Sequence, residues 1–240
     1  MGLFDKKFCD FCGGKIGLLG NRKLSDGNMC KDCAAGITPY LIGRKQYSVA
    51  DMKEHLASRE ENKARLAGFN ATRSLGLNTK VHIDDAQKLL LVTSSRNYKA
   101  ENPDIVEFTQ VTGCILDTQE TKTEQKKDGA DGKKESYVPP RYTYKYDFYI
   151  TVNINHPWFD QIKFKVNSNS IESRASAEYR ETEAQAKEIS TTLQNLHNQV
   201  REEAIDAAKP KTSVLCPACG ATTIPDASGC CEYCGGALNR

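Results

Sequence analysis

Three features of the 240-residue sequence predict an α+β chain. Four C-x-x-C pairs gather at its two ends. Apolar residues recur with a period of two between about 78 and 167, and helix-favouring residues run from Ile171 to Ala208. Together they predict an antiparallel β sandwich or open barrel closed by a long C-terminal helix and flanked by two small metal-stapled modules. The expected parts are an N-terminal module over 1–45, a linker helix over 46–69, the β domain with its long helix over 70–208, and a C-terminal module over 209–240.

The N-terminal module carries Cys9-Asp-Phe-Cys12, seventeen residues, then Cys30-Lys-Asp-Cys33. Two such pairs at this separation suit one tetrahedral zinc, each pair making a tight turn that offers two sulfurs. Fewer than fifty residues bury little core, so a metal staple explains how such a segment folds. Gly13 allows the positive-φ turn behind Cys12, and Phe8, Phe11, Ile16, Leu18 and Leu19 are expected to pack around the site. Asp26-Gly27-Asn28 reads as a turn before the second pair. A thioredoxin-like redox site would instead show one C-x-x-C at a helix start after a strand.

The full run from Cys9 to Cys33, C-x-x-C-G-G-x-x-G-L-L-G-x-R-K-L-x-D-G-x-x-C-x-x-C, resembles an uncharacterised bacterial family, domain of unknown function 4428. The resemblance covers roughly the first fifty residues. It implies metal binding at Cys9, Cys12, Cys30 and Cys33 and brings no activity with it.

Ser48-Val-Ala-Asp51 is a capping box, so a helix is expected behind it, stopping near Gly68. Val49, Met52, Leu56 and Leu66 share one face, with Arg59 among the charged residues placed elsewhere. His55 is expected to be a partly exposed helix residue. Next, Lys80–Asp84 and Lys88–Thr93 flank a turn at Asp85-Ala86-Gln87, a hairpin pattern. Asp104–Asp117 reads as strand with a turn or bulge at Gly113. From Tyr142 to Ile154, seven apolar or aromatic residues alternate with more polar ones, predicting one buried face. Asn155-His156-Pro157 ends that strand, and Gln161–Val166 returns. The segment Thr121–Ser136, with five lysines against four acids, reads as a solvated, flexible insertion.

Strands followed by one closing helix resemble a bacterial pleckstrin-homology-like domain over roughly residues 70–208, a likeness of pattern and not of motif. The resemblance implies that the helix plugs a barrel. Residues 171–208 would extend about 57 Å if wholly helical, so part is expected to overhang. Ala186, Ile189, Leu193, Leu196 and Val200 form a seam at 3-4 spacing. Packing of that seam on the sheet is the preferred reading, and self-association through the 170–208 helix is the other.

The C-terminal module repeats the chemistry: Cys216-Pro-Ala-Cys219-Gly220, eleven residues, then Cys231-Glu-Tyr-Cys234-Gly235-Gly236. It reads as a zinc ribbon held by Cys216, Cys219, Cys231 and Cys234. Cys231 is preferred to Cys230 because only it leaves the two-residue gap to Cys234. Cys230 is then a spare thiol and Cys114 a small core residue. Two Zn²⁺ per chain are expected.

Four thiolates fill a tetrahedral zinc, whereas a catalytic zinc keeps one position open for water. No H-E-x-x-H, P-loop, G-x-S-x-G or Rossmann pattern occurs. His55, His82, His156 and His197 show no ligand spacing, and each is read as an ordinary surface or turn histidine. Asp84-Asp85 fits the hairpin turn better than an acid pair. The expectation is therefore a non-enzymatic zinc-binding adaptor with a protein partner. Nucleic-acid binding is the alternative, with thiol redox and membrane-lipid binding behind it. A net charge of +2 gives no basic excess. In the ribbon, Lys209, Lys211 and Arg240 face Asp226 and Glu232, and four thiolates with one Zn²⁺ bring the sum to about −1. Mean hydropathy is −0.57, no apolar run could span a bilayer, and the first residues lack a signal-peptide core. Metal-bound thiols suit a reducing compartment, so a cytoplasmic location is expected.

Overall fold

The computed structural model describes residues 7–129, 131–208, 213–226 and 228–238. Lys209-Pro210, which follow the helix-favouring run that ends at Ala208, and the ribbon charges Lys211 and Arg240 lie outside the described residues. The chain divides into two compact units, Met1–His197 and Asn198–Arg240.

The first unit opens with two short hairpins, Lys7–Phe8 against Lys15–Ile16 and Arg22–Lys23 against Asn28–Met29, and a single helical turn, Lys31–Ala34. Helix α1, Val49–Gly68, follows from the predicted capping box. Ser48 Oγ accepts the Asp51 N–H at 3.1 Å, and Asp51 Oδ2 accepts the Ser48 N–H at 2.7 Å. Asp26 adds a second acceptor for this helix start, taking the Val49 N–H at 2.7 Å. Gly27 is required by contact: a Cβ there would run into Val49 and lie 2.7 Å from the Asp10 carboxylate.

Four strands then form one antiparallel sheet: β1 Arg73–Leu75, β2 Lys80–Asp84, β3 Leu89–Thr93 and β4 Ile105–Glu107, in that order. The turn at 85–87 is where the sequence places it. Asp84 fixes it by accepting from the backbone N–H groups of Gln87 (3.0 Å) and Asn70 (2.9 Å). Asp85 instead pairs with Arg73 at 2.6 Å, so the two acids do separate structural jobs.

Three longer strands make the second antiparallel sheet: β5 Val111–Asp128, β6 Lys134–His156 and β7 Phe159–Lys165, with β6 central. The stretch predicted as one strand over 104–117 is broken, because Phe108–Gln110 forms a 3₁₀ turn between β4 and β5. The register shift beside Gly113 supplies the expected bulge. Tyr146, Phe148, Ile150, Val152 and Ile154 are buried as the alternation requires, while Tyr142 is 42 % exposed. The buried face is thus shorter than predicted.

The segment Thr121–Ser136 is not a loose insertion. Thr121–Asp128 and Lys134 onward continue β5 and β6 as a two-stranded ribbon, with Tyr144 opposite Lys122 and Tyr142 opposite Glu124. Without a core behind it, the ribbon is held by ladder hydrogen bonds and surface contacts. Lys134 meets Asp128 at 2.7 Å, and Lys122 Nζ sits 3.9 Å from the Tyr142 ring centre. Dispersed charges of both signs, mixed with Thr and Tyr, suit an exposed strand as well as a loop.

The last helix, α2, spans Ala177–Ala208 and so begins six residues later than predicted. Ile171 is 1 % exposed and bridges Tyr146 in both directions, at 2.8 and 3.0 Å. Ser176 then caps the helix by accepting the Tyr179 N–H at 3.1 Å. Ala186, Ile189, Leu193 and Leu196 are all buried. Gln194 and His197 hydrogen-bond the carbonyls of Cys114 and Val111, which places the seam on the second sheet within the first unit. The result is an α+β architecture of antiparallel sheets followed by a helix, and no barrel closes among the described residues.

The second unit contains the end of α2, a hairpin of Val214–Leu215 with Thr222–Thr223, and an antiparallel bridge from Cys230 to Ala237.

Candidate metal centres

Three of the four C-x-x-C pairs fold into the same backbone loop. In each, the first cysteine's N–H donates to a carbonyl five residues on, and its carbonyl accepts from a glycine N–H four residues on. For Cys9 the partners are Gly14 (2.9 Å) and Gly13 (2.8 Å). For Cys216 they are Ala221 (2.8 Å) and Gly220 (2.9 Å), and for Cys231, Gly236 (2.8 Å) and Gly235 (2.8 Å). The turning glycines have φ of 69° (Gly13), 72° (Gly220) and 70° (Gly235), a region costly for any residue with a Cβ. This tight loop turns both sulfurs of a pair toward one point. The fourth pair is built differently. Cys30 caps the turn Lys31–Ala34, its Sγ accepting the Cys33 N–H at 3.3 Å.

The loops bring the eight predicted thiols together as two fours. Cys9, Cys12, Cys30 and Cys33 have all Sγ atoms within 4.8 Å of one another, as do Cys216, Cys219, Cys231 and Cys234. Cys12 and Cys30 are 3.8 Å apart, Cys216 and Cys234 3.6 Å, and Cys219 and Cys231 3.7 Å. Four sulfurs at about 2.3 Å from a tetrahedral zinc lie about 3.8 Å from each other, so the donor set fits that ion. Cys230 stands outside the cluster. Its N–H is held by Asp226 Oδ1 at 2.8 Å and its Sγ lies 3.9 Å from the Ser228 carbonyl. Cys114 is buried and belongs to neither cluster.

The protonation balance also fits a cation. Burial raises the Cys9 thiol, but N–H donors from Cys12, Cys30 and Phe11 outweigh it and bring the pKa down to about 6. The Cys219 N–H, with other donors, brings Cys216 to about 6. One partner in each cluster resists ionisation. Cys33 is pushed far up, by burial first and then by neighbouring sulfurs. Cys234 keeps a stabilising Gly236 N–H, yet adjacent sulfurs push it up to about 12. Crowded thiols ionise together only when a metal ion offsets their charge.

The miniature core of the N-terminal module differs from the expected one. Ile16 is buried and Phe11 half-buried, but Leu18 and Leu19 are 87 % and 88 % exposed, and Phe8 also faces outward. Leu24, Met29 and Met52 form the buried cluster instead, with Val49, Leu56, Tyr47 and Trp158 packed on it. Val49, Met52 and Leu56 belong to α1. At its other end α1 gives Leu66 to a cluster with Phe69, Leu89, Leu91 and Ile105.

Between these clusters lies a polar network. Arg59 and Asp104 form a buried ion pair, Thr38 Oγ1 donates to Asp104 Oδ2 at 2.6 Å, and Arg59 also donates to the Asn102 carbonyl. His55 is not partly exposed, as its polarity suggested, but 1 % exposed. Its Nε2 accepts the Thr38 N–H at 3.1 Å, and its ring lies 4.8 Å from Trp158. The sign that Arg59 and His55 are inward was available, since Met52, His55, Arg59 and Leu66 repeat at helical spacing. The other histidines also have structural partners. His82 Nδ1 meets Ser74 Oγ at 2.7 Å, His156 accepts the Trp158 N–H at 3.3 Å, and His197 meets the Val111 carbonyl at 2.7 Å.

Burial, then the Arg59 charge, lowers the His55 pKa to about 4. The folded value lies below the unfolded one of about 6.5. Neutral His55 therefore contributes stability above pH about 6.5 that is lost as pH falls toward about 4. His55→Gln, which keeps an acceptor for Thr38, is expected to flatten this part of the stability–pH curve. Parallel denaturant titrations of the two proteins measure the difference, and identical slopes would contradict the assignment.

The two tetra-cysteine clusters mark a chain compatible with zinc at both ends. A family model described as Domain of unknown function (DUF4428) matches residues 7–55, which takes in all four N-terminal cysteines and the first two turns of α1. No curated protein and no solved structure matches the chain.

Proposed function

We propose that this chain is a non-enzymatic zinc-binding adaptor. Two structural Zn²⁺ ions, one on Cys9, Cys12, Cys30 and Cys33 and one on Cys216, Cys219, Cys231 and Cys234, stabilise small modules that engage a protein partner. The observation carrying this reading is that each cluster offers four sulfurs and, among the described residues, no His, Asp or Glu joins either of them. A closed sulfur shell suits structure and leaves no site for an activated water. The adjacent Leu18 and Leu19 on the N-terminal module give a protein partner an apolar foothold. In the ribbon, Tyr233 is 72 % exposed.

The four-stranded and three-stranded antiparallel sheets followed by a helix support a pleckstrin-homology-like reading of the central domain. Nucleic-acid binding remains the rival, weakened by the scarcity of clustered cations on the ribbon. No helix among the described residues is long and apolar enough to cross a membrane. A cytoplasmic setting is proposed from the thiol chemistry alone.

In-cell crosslinking of the full chain with a Leu18→Ser/Leu19→Ser control tests the adaptor reading. A protein partner lost in the control, at unchanged zinc content, is expected. Nanomolar, salt-sensitive binding to DNA or RNA would move the assignment to the rival class. Disulfide reductase turnover lost in Cys9→Ser would move it to redox chemistry.

A further inference from the structure

A cavity of about 580 Å³ opens beside the first sheet, between the β1–β2 turn and the segment after β3, and no cysteine lines it. Its walls include Lys80, Arg96, His82, Ser94, Ser95 and Tyr98, and no carboxylate lines it. Among the described residues neither Lys80 nor Arg96 has an acidic partner within salt-bridge distance, unlike the three arginines on and beside this sheet. Arg59, Arg65 and Arg73 are all paired. The nearest acid in the hydrogen-bond network, Glu101, accepts from Ser95 Oγ at 2.6 Å and lines a neighbouring cavity instead.

His82 is the fixed point of the site. It is 9 % exposed, its Nδ1 is engaged by Ser74 Oγ, and its ring rests 4.9 Å from Tyr98. With Nδ1 committed, Nε2 has no hydrogen-bond partner among the described residues and remains for a ligand. Two unpaired cations, a held imidazole nitrogen and the Ser94 hydroxyl, in a cavity without carboxylates, match a small dianion with several acceptor oxygens. Lys80 sits on β2 and His82 two residues on, so both side chains leave the same face of the strand.

We propose that this cavity binds a phosphomonoester group, with Lys80 and Arg96 supplying charge and His82 a directional contact. A free phosphate ester and a lipid headgroup share this chemistry. This site is separate from the zinc centres, and it stands or falls independently of the adaptor reading.

The test titrates the zinc-loaded full chain with inorganic phosphate, with glycerol phosphate, and with phosphatidylcholine vesicles with or without phosphatidic acid. The NMR signals of the His82 ring and calorimetry report binding. Lys80→Gln/Arg96→Gln is expected to weaken it about tenfold or more, while Lys63→Gln on α1 leaves it unchanged. Both altered side chains are exposed, and unchanged amide protection of β2 and β3 verifies folding. Should the double variant misfold, Ser94→Asp, which puts a like charge into the cavity, replaces it. Binding of the soluble esters alone identifies a free ligand, and binding of phosphatidic acid vesicles alone identifies a headgroup. Either supports the site if the variant weakens it about tenfold or more. No response to any probe, or binding that survives the cavity substitutions, overturns it.

Discussion

Cys9→Ser is expected to release one of two metal ions and to unfold the N-terminal module, leaving the second cluster loaded. The size of the effect follows from what else holds this segment. Its hairpins are two residues long, its helical turn has four, and its buried cluster has only Leu24, Met29 and Met52 at the centre. A structural zinc contributes roughly 10–16 kcal/mol in such small modules, against about 5–15 kcal/mol for a whole domain. No packing in the segment offsets that loss. Because Met52, Val49 and Leu56 come from α1 and Trp158 from the β6–β7 turn, the disturbance should extend beyond the cysteines. Amide exchange should rise from Lys7 through the first turns of α1, while Leu90, Val106 and Phe148 stay protected. Cys216→Ser should act on the ribbon alone. Protection of the N-terminal hairpins in Cys9→Ser protein that has lost that ion would contradict the account.

Asp104→Ala is expected to cost about 3–5 kcal/mol, as usual when one partner of a buried pair is removed. Arg59 would be left buried without its counter-ion, and Thr38 Oγ1 would lose its acceptor. Burial already pushes the Asp104 carboxyl up, against the pull of Arg59 and Thr38, so the pair does not gain much over water. The paired change Arg59→Met/Asp104→Leu should therefore recover most of the loss, since an apolar pair needs no desolvation. A double-mutant cycle in denaturant measures this. Equal costs for the single and the double change would show that packing, not the charge pair, dominates there.

What the sequence made legible had local causes. Three of the four cysteine pairs specify their own loop, since the thiols, the glycine and the backbone bonds lie within six residues. The capping box and the 85–87 turn are equally local. The misread parts depend on distant partners. His55 and Arg59 look like solvent-facing residues until Thr38, Asp104 and Trp158 arrive from elsewhere to cover them. Leu18 and Leu19 look like core, but the Leu24–Met29–Met52 cluster is completed by α1 and leaves them outside. Ile171 reads as helix because nothing nearby announces its bridge to Tyr146. The ribbon over 121–136 reads as loop because its strands have no buried face to impose alternation.

Native mass spectrometry of freshly purified full-length protein, with elemental analysis, bears most directly on the central claim of two closed four-sulfur zinc sites. The account predicts two zinc ions per chain, one lost in Cys9→Ser, one lost in Cys216→Ser, and none lost in Cys230→Ser or Cys114→Ser. Fewer than two metals, or a mass deficit showing the eight cysteines joined as disulfides, would contradict it.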